Sequence, residues 1–117
     1  MSSNIIVDKS FDFAVRIVKL VRFLNDEKRE FTLAKQILRS GTSIGVNVKE
    51  AIRAQSKLDF RAKMSISLKE ASETEYWIEL LYKTEYIDKI MYESLNRDCV
   101  ELIKMLTAIV KTAQNYA

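Results

Sequence analysis

The chain of 117 residues carries its apolar positions in four runs of helical rather than alternating period. Between about Asp8 and Asn25, Phe11, Val15 and Val18, with Val21 or Arg22 next in the series, draw an apolar stripe. The polar run NDEKRE, residues 25 to 30, ends it. A second run extends from about Phe31 to Gln55. The third begins at SKLD, where Ser56 can cap a helix and Asp59, three residues on, completes a capping-box spacing; it continues to about Thr84. EYIDK makes the next turn, with Asp88 as a candidate cap. The last run reaches about Gln114, with Met91, Leu95, Leu102, Leu106, Ile109 and Ala113 along one side. The chain has no proline and only two glycines, which favours long helices and short connections. Four such helices predict an all-α, up-down-up-down four-helix bundle, with residues 1–117 forming one domain.

Both glycines, Gly41 and Gly45, fall i,i+4 inside the second helix, where each costs roughly 1 kcal/mol relative to alanine. At about 100° per residue, Ile37, Leu38, Gly41, Ile44, Gly45, Val48 and Ile52 share one arc of roughly 100–120°. The pair therefore predicts a close-packing site, where missing Cβ atoms let a neighbouring helix approach. The rival reading is a break, with Gly41-Thr42-Ser43 as a loop between two shorter helices.

On the opposite side, Lys35, Arg39, Lys49 and Arg53 fall within about 80° of one another, with Val46 in the middle of the stripe. A Lys/Arg stripe is commonly just a wet helix face. Here the charge is also polarised along the chain: residues 28–63 hold nine Lys/Arg against three Asp/Glu, and residues 70–101 hold the reverse. A cationic surface of that kind attracts phosphate backbones without reading sequence. It would equally steer one subunit or partner onto another.

The third helix is apolar around much of its circumference. Leu58, Ala62, Tyr76 and Leu80 form one stripe, Phe60, Met64, Ala71, Ile78 and Tyr82 a second, and Ile66, Trp77 and Leu81 lie between. A bundle core needs a stripe of only about 100°. The excess predicts an oligomer interface that includes Tyr76, Trp77, Leu80 and Tyr82. Ordinary surface aromatics are the plainer alternative. Glu70 lies on the Ile66/Trp77/Leu81 flank, where burial would require a cation such as Arg39 or Arg53.

Composition narrows the chemistry. Histidine is absent, which removes imidazole acid–base catalysis, His-based nucleophile systems and the common zinc sites. Two glycines four apart with no following Gly-Lys-Ser/Thr match no nucleotide fingerprint. Carboxylates are numerous, but no spacing singles out a pair. The expectation is a protein that is not an enzyme and that has no catalytic residue, metal, cofactor or small-molecule substrate. A single cysteine, no secretory leader and no apolar run of about 18–20 residues predict a cytoplasmic protein without a membrane segment.

The run QILRSGTSIGVNVKEA, residues 36 to 51, followed by SKLDF and SLKEASETEYWIELL, resembles the bacterial 23S rRNA intervening sequence (ribosomal-protein-like) proteins. Arg39, Ser40, Ser43, Ile44, Asn47, Glu50 and Ala51 stand at that family's spacing, as do Asp59, Phe60, Lys69, Glu70, Ala71, Glu73, Glu75 and Trp77. The family often has a small residue where Gly41 stands and Ala or Pro where Gly45 and Val46 stand, which favours a packing role for the glycines. The resemblance implies a closed bundle assembling into a ring-shaped homopentamer with no known catalytic activity. A similar bundle is the accessory protein of retroelement reverse transcriptases, whose basic surface is thought to bind nucleic acid. By that analogy Lys35, Arg39, Lys49 and Arg53 are the candidates to contact RNA or DNA phosphates. The alternative is a protein–protein interaction scaffold whose charge polarity serves docking.

Overall fold

The computed structural model describes residues 2–115, with side chains from Ile5 to Gln114. It contains four helices, α1 (Ser2–Asp26), α2 (Thr32–Ile52), α3 (Lys57–Lys83) and α4 (Lys89–Asn115), arranged up-down-up-down in a bundle of 46 × 20 × 20 Å. Each helix packs on its neighbours in sequence, and α4 closes back on α1; among the described residues the diagonal pairs do not approach backbone to backbone.

The helix ends are set by local chemistry. Ser56 Oγ accepts the Asp59 amide at 3.0 Å, and Asp88 Oδ1 accepts the Met91 amide at 2.8 Å. The Glu30 carboxylate accepts the Leu33 and Ala34 amides in the first turn of α2. At the end of α3 the Tyr86 amide donates to the Leu81 carbonyl and the Glu85 amide to that of Tyr82, with Glu85 at φ 68°. That is a Schellman closure with glutamate where glycine is usual.

In α1 the core face differs from the stripe read from the sequence. Ile6, Ser10, Phe13, Ile17, Leu20 and Leu24 point inward, whereas Phe11, Val15 and Val18 face out and Phe11 is 68% exposed. The helix also begins six residues before Asp8. Two apolar stripes share this helix, and periodicity alone does not say which one the other helices cover.

The two glycines of α2 differ in what they meet. A Cβ on Gly41 would sit 2.7 and 2.9 Å from Ile17 Cγ1 and Cγ2, whereas one on Gly45 would meet Ser10 of α1 at 3.4 Å or more. The helix runs unbroken through both. On its other flank α2 meets α3 through small and polar residues. Ser67 Oγ donates to the Ile44 carbonyl at 2.8 Å. Thr74 Oγ1 lies 2.8 Å from the Glu70 carbonyl, to which it donates, and 2.8 Å from Ser40 Oγ. All three hydroxyl residues are buried, so these bonds remove the cost of dehydrating them. The seam between α1 and α4 is tied instead by partly exposed ion pairs, Lys9 to Glu101 at 3.2 Å and Arg16 to Asp98 at 2.6 Å.

Candidate nucleic-acid interface

The outward face of α2 carries the basic stripe. Lys35 and Lys49 are exposed on the helix, and Arg53 is exposed at its C-cap. Among the described residues no carboxylate pairs with any of the three. Eighteen residues at about 1.5 Å each place Lys35 and Arg53 roughly 27 Å apart, so they form a line along the bundle rather than a pocket. Lys57, the first residue of α3, is exposed at the same end as Arg53 and extends the line; the basic spacing of KLDFRAK was its only signal in the sequence.

Arg39 is different. Its Nη1 lies 3.1 and 3.3 Å from the two Glu70 oxygens, and its Nη2 bonds Glu73. The cation that Glu70 needs on this flank is therefore Arg39; Glu73 is a second acceptor that nothing in the sequence singled out for it. Trp77 Nε1 also donates to Glu73, at 3.0 Å. The Glu73 carboxyl is held below its ordinary value first by the Trp77 hydrogen bond and then by Arg39. Arg39 is raised by its bonds to Glu73 and then Glu70. The unit of one guanidinium and two carboxylates carries a net negative charge. Arg39 thus ties α2 to α3 instead of standing free like Lys35, Lys49 and Arg53. Glu50, beside Lys49, is likewise engaged, with Lys63 at 3.1 Å.

Apolar residues break into this polar surface in two places. Val46 is 55% exposed, and with Phe11 it walls a groove of about 890 Å³ between α1 and α2, floored by Ala14 and Gly45. On α3, Tyr76 is 60% exposed and packs edge-on against Trp77, with Leu80 half-buried beside them. Tyr82 lies on the other flank, stacked on Tyr92 of α4 at 4.4 Å between centroids. Exposed Leu58 and Ile66 extend the Tyr76 face toward the start of α3.

The remaining reactive group is Cys99. Its buried thiol donates to the Ala71 carbonyl at 3.4 Å, and burial, with Glu75 adding a smaller effect, pushes its pKa up to about 12. A thiol so raised is not a nucleophile at neutral pH. Among the described residues no three Asp, Glu or Cys side chains gather to hold a metal, and no helix is long and apolar enough to cross a membrane.

These features define an all-α bundle whose distinguishing chemistry lies on its outer surfaces. The chain belongs to the 23S rRNA-intervening sequence protein family, whose sequence profile matches residues 2–108. Among solved structures, it is similar to a protein of unknown function from the S23 ribosomal protein family of Bacteroides thetaiotaomicron. The two are 58% identical with a TM-score of 0.93, over 95% of this chain and 99% of the other. No curated protein matches the chain.

Proposed function

We propose that this protein is a non-enzymatic, self-associating helical bundle of the cytoplasm that binds RNA or DNA along the phosphate backbone without strong sequence preference. One observation carries the reading: Lys35, Lys49 and Arg53 stand exposed in a line on α2 with no carboxylate partner among the described residues. Binding phosphates needs such point charges and little else. Arg39, already bonded to two carboxylates, contributes to the α2–α3 seam rather than to phosphate binding. The aromatic pairs Tyr76–Trp77 and Tyr82–Tyr92 pack on each other, and the described residues form no sheet on which bases could stack. The exposed apolar faces of α1 and α3 support self-association, for which the family resemblance suggests a closed pentamer.

The test is binding of generic single-stranded RNA and DNA by fluorescence anisotropy at low and moderate salt. Wild type binds at low salt, and Lys35→Ala/Lys49→Ala/Arg53→Ala binds at least tenfold more weakly at unchanged stability. Equal binding by that variant, or none by wild type, overturns the reading. In the second case the exposed apolar faces favour the protein-docking scaffold.

A further inference from the structure

We infer that Arg97, Lys104 and Lys111 form a second phosphate-binding line on α4, so that each chain holds two nucleic-acid strands on opposite sides and bridges them. This rests on the reading that the chain binds nucleic acid through phosphate contacts, and it adds a site and a valence to it.

The three cations are spaced seven residues apart. Two turns of an α-helix take about 7.2 residues, so each step drifts by only about 20° and all three keep to one side of α4. That side is opposite the buried Leu95, Cys99, Leu102 and Leu106, and all three cations are exposed on it. At about 1.5 Å per residue they stand roughly 10 Å apart, in a line of about 21 Å.

The carboxylates nearest the line are either engaged or outside it. Asp98 is held by Arg16 at 2.6 Å and Glu101 by Lys9 at 3.2 Å, both cations coming from α1. The ion pairs that tie α1 to α4 therefore also neutralise the acids that would compete for the line. Exposed Glu93 stands one turn before Arg97, and after Glu101 the described part of α4 has no acidic residue. Among the described residues none of the three cations is in an ion pair.

This surface suits a phosphate backbone better than a folded partner. A protein interface needs large side chains to anchor its centre. On α4 the one exposed large apolar residue among those described is Ile90, seven residues before Arg97, and between Lys104 and Lys111 the exposed side chains are Thr107 and Ala108. Phosphates need point charges and no anchor.

Two lines on one chain make two sites because of where the fold puts them. α2 and α4 are diagonal in a bundle 20 × 20 Å across, so their outward faces look in opposite directions. A strand laid along Lys35, Lys49 and Arg53 does not reach Arg97, Lys104 or Lys111. Both lines also lie off the exposed apolar faces of α1 and α3. The α4 line is the weaker of the two, because Lys57 extends the α2 line by one more cation.

The test is the number of strands bound per chain at low salt, by calorimetric titration with an oligouridine of about eight nucleotides, within the usual range of single-strand sites. Wild type takes two. Arg97→Ala/Lys104→Ala/Lys111→Ala takes one and keeps the tighter site. Lys35→Ala/Lys49→Ala/Arg53→Ala also takes one, at the weaker site, whose log–log salt slope is about 2 for three phosphates at about 0.7 each. All these positions are exposed, and circular dichroism checks that each variant folds. Arg97→Lys/Lys104→Arg/Lys111→Arg keeps the charge and still takes two. One strand per chain on wild type, two on the α4 alanine variant, or one on the charge-preserving variant overturns the second line and leaves the α2 reading standing. No binding by wild type overturns that reading, and this inference with it.

Discussion

On its inner side α2 offers Ser40, Gly41, Ile44 and Val48, all buried; on its outer side it offers Lys35, Arg39, Lys49 and Arg53 around an exposed Val46. The two sides have opposite tolerances. Inside, volume and hydrogen-bond satisfaction decide stability, because the neighbouring helices leave no space and no water. Outside, a side chain can change without disturbing packing, and what changes is the charge presented to a partner. Arg39 is the exception. It sits on the outer side yet is bonded to Glu70 and Glu73, so it belongs energetically to the seam with α3.

The largest break in this contrast is expected at Gly41. Gly41→Leu should cost about 3 kcal/mol by urea denaturation, because Ile17 already fills the space a side chain would enter. Gly41→Ala gains helix propensity but must displace Ile17, for a net loss of about 1–2 kcal/mol. Gly45→Ala meets ordinary van der Waals distances and should be neutral or stabilising by up to roughly 1 kcal/mol. Equal effects at the two glycines would contradict the geometry. Next in size, Ser67→Ala removes the hydroxyl bonded to the Ile44 carbonyl and should cost about 1 kcal/mol in the same measurement.

The Arg39 seam predicts a pH dependence. The Glu73 carboxyl is held below its ordinary value in the folded protein, so the unfolded chain binds the proton first as pH falls. Its contribution is therefore present above the ordinary carboxylate value of about 4.5 and is lost as pH drops through the folded value. The stability difference between wild type and Glu73→Gln should be full at pH 7 and vanish in acid; a difference that persists at pH 2 would show that the carboxylate charge is not what matters. Smallest of all, Lys35→Ala, Lys49→Ala and Arg53→Ala should each stay within about 0.5 kcal/mol of wild type in stability.

The helix count and most of the helix ends were legible in the sequence, because caps are local: Ser56 with Asp59, and Asp88, act within one turn. The face that α1 turns inward was not. Phe11, Val15 and Val18 have the same period as Ile6, Phe13 and Ile17, and only the other helices decide between them. The buried hydroxyls of Ser40, Ser67 and Thr74 were also out of reach, since their burial depends on acceptors or partners across the α2–α3 seam. In the candidate site, Lys35, Lys49 and Arg53 were readable as a stripe from helical phase. The double capture of Arg39 was only half visible, because Glu73 joins Glu70 through a register between helices that no single helix encodes.

The central claim is that charge on the outer side of α2 is divided between free cations and one committed to the fold. The most direct measurement is the slope of log binding constant against log salt for single-stranded nucleic acid, compared among wild type, Lys49→Ala and Arg39→Ala. Removing a cation that neutralises one phosphate should flatten the slope by about 0.7. Lys49→Ala should therefore show that change at unaltered stability, whereas Arg39→Ala should keep the wild-type slope and lose stability instead. The reverse pattern, with Arg39→Ala flattening the slope and Lys49→Ala leaving it unchanged, would contradict the account.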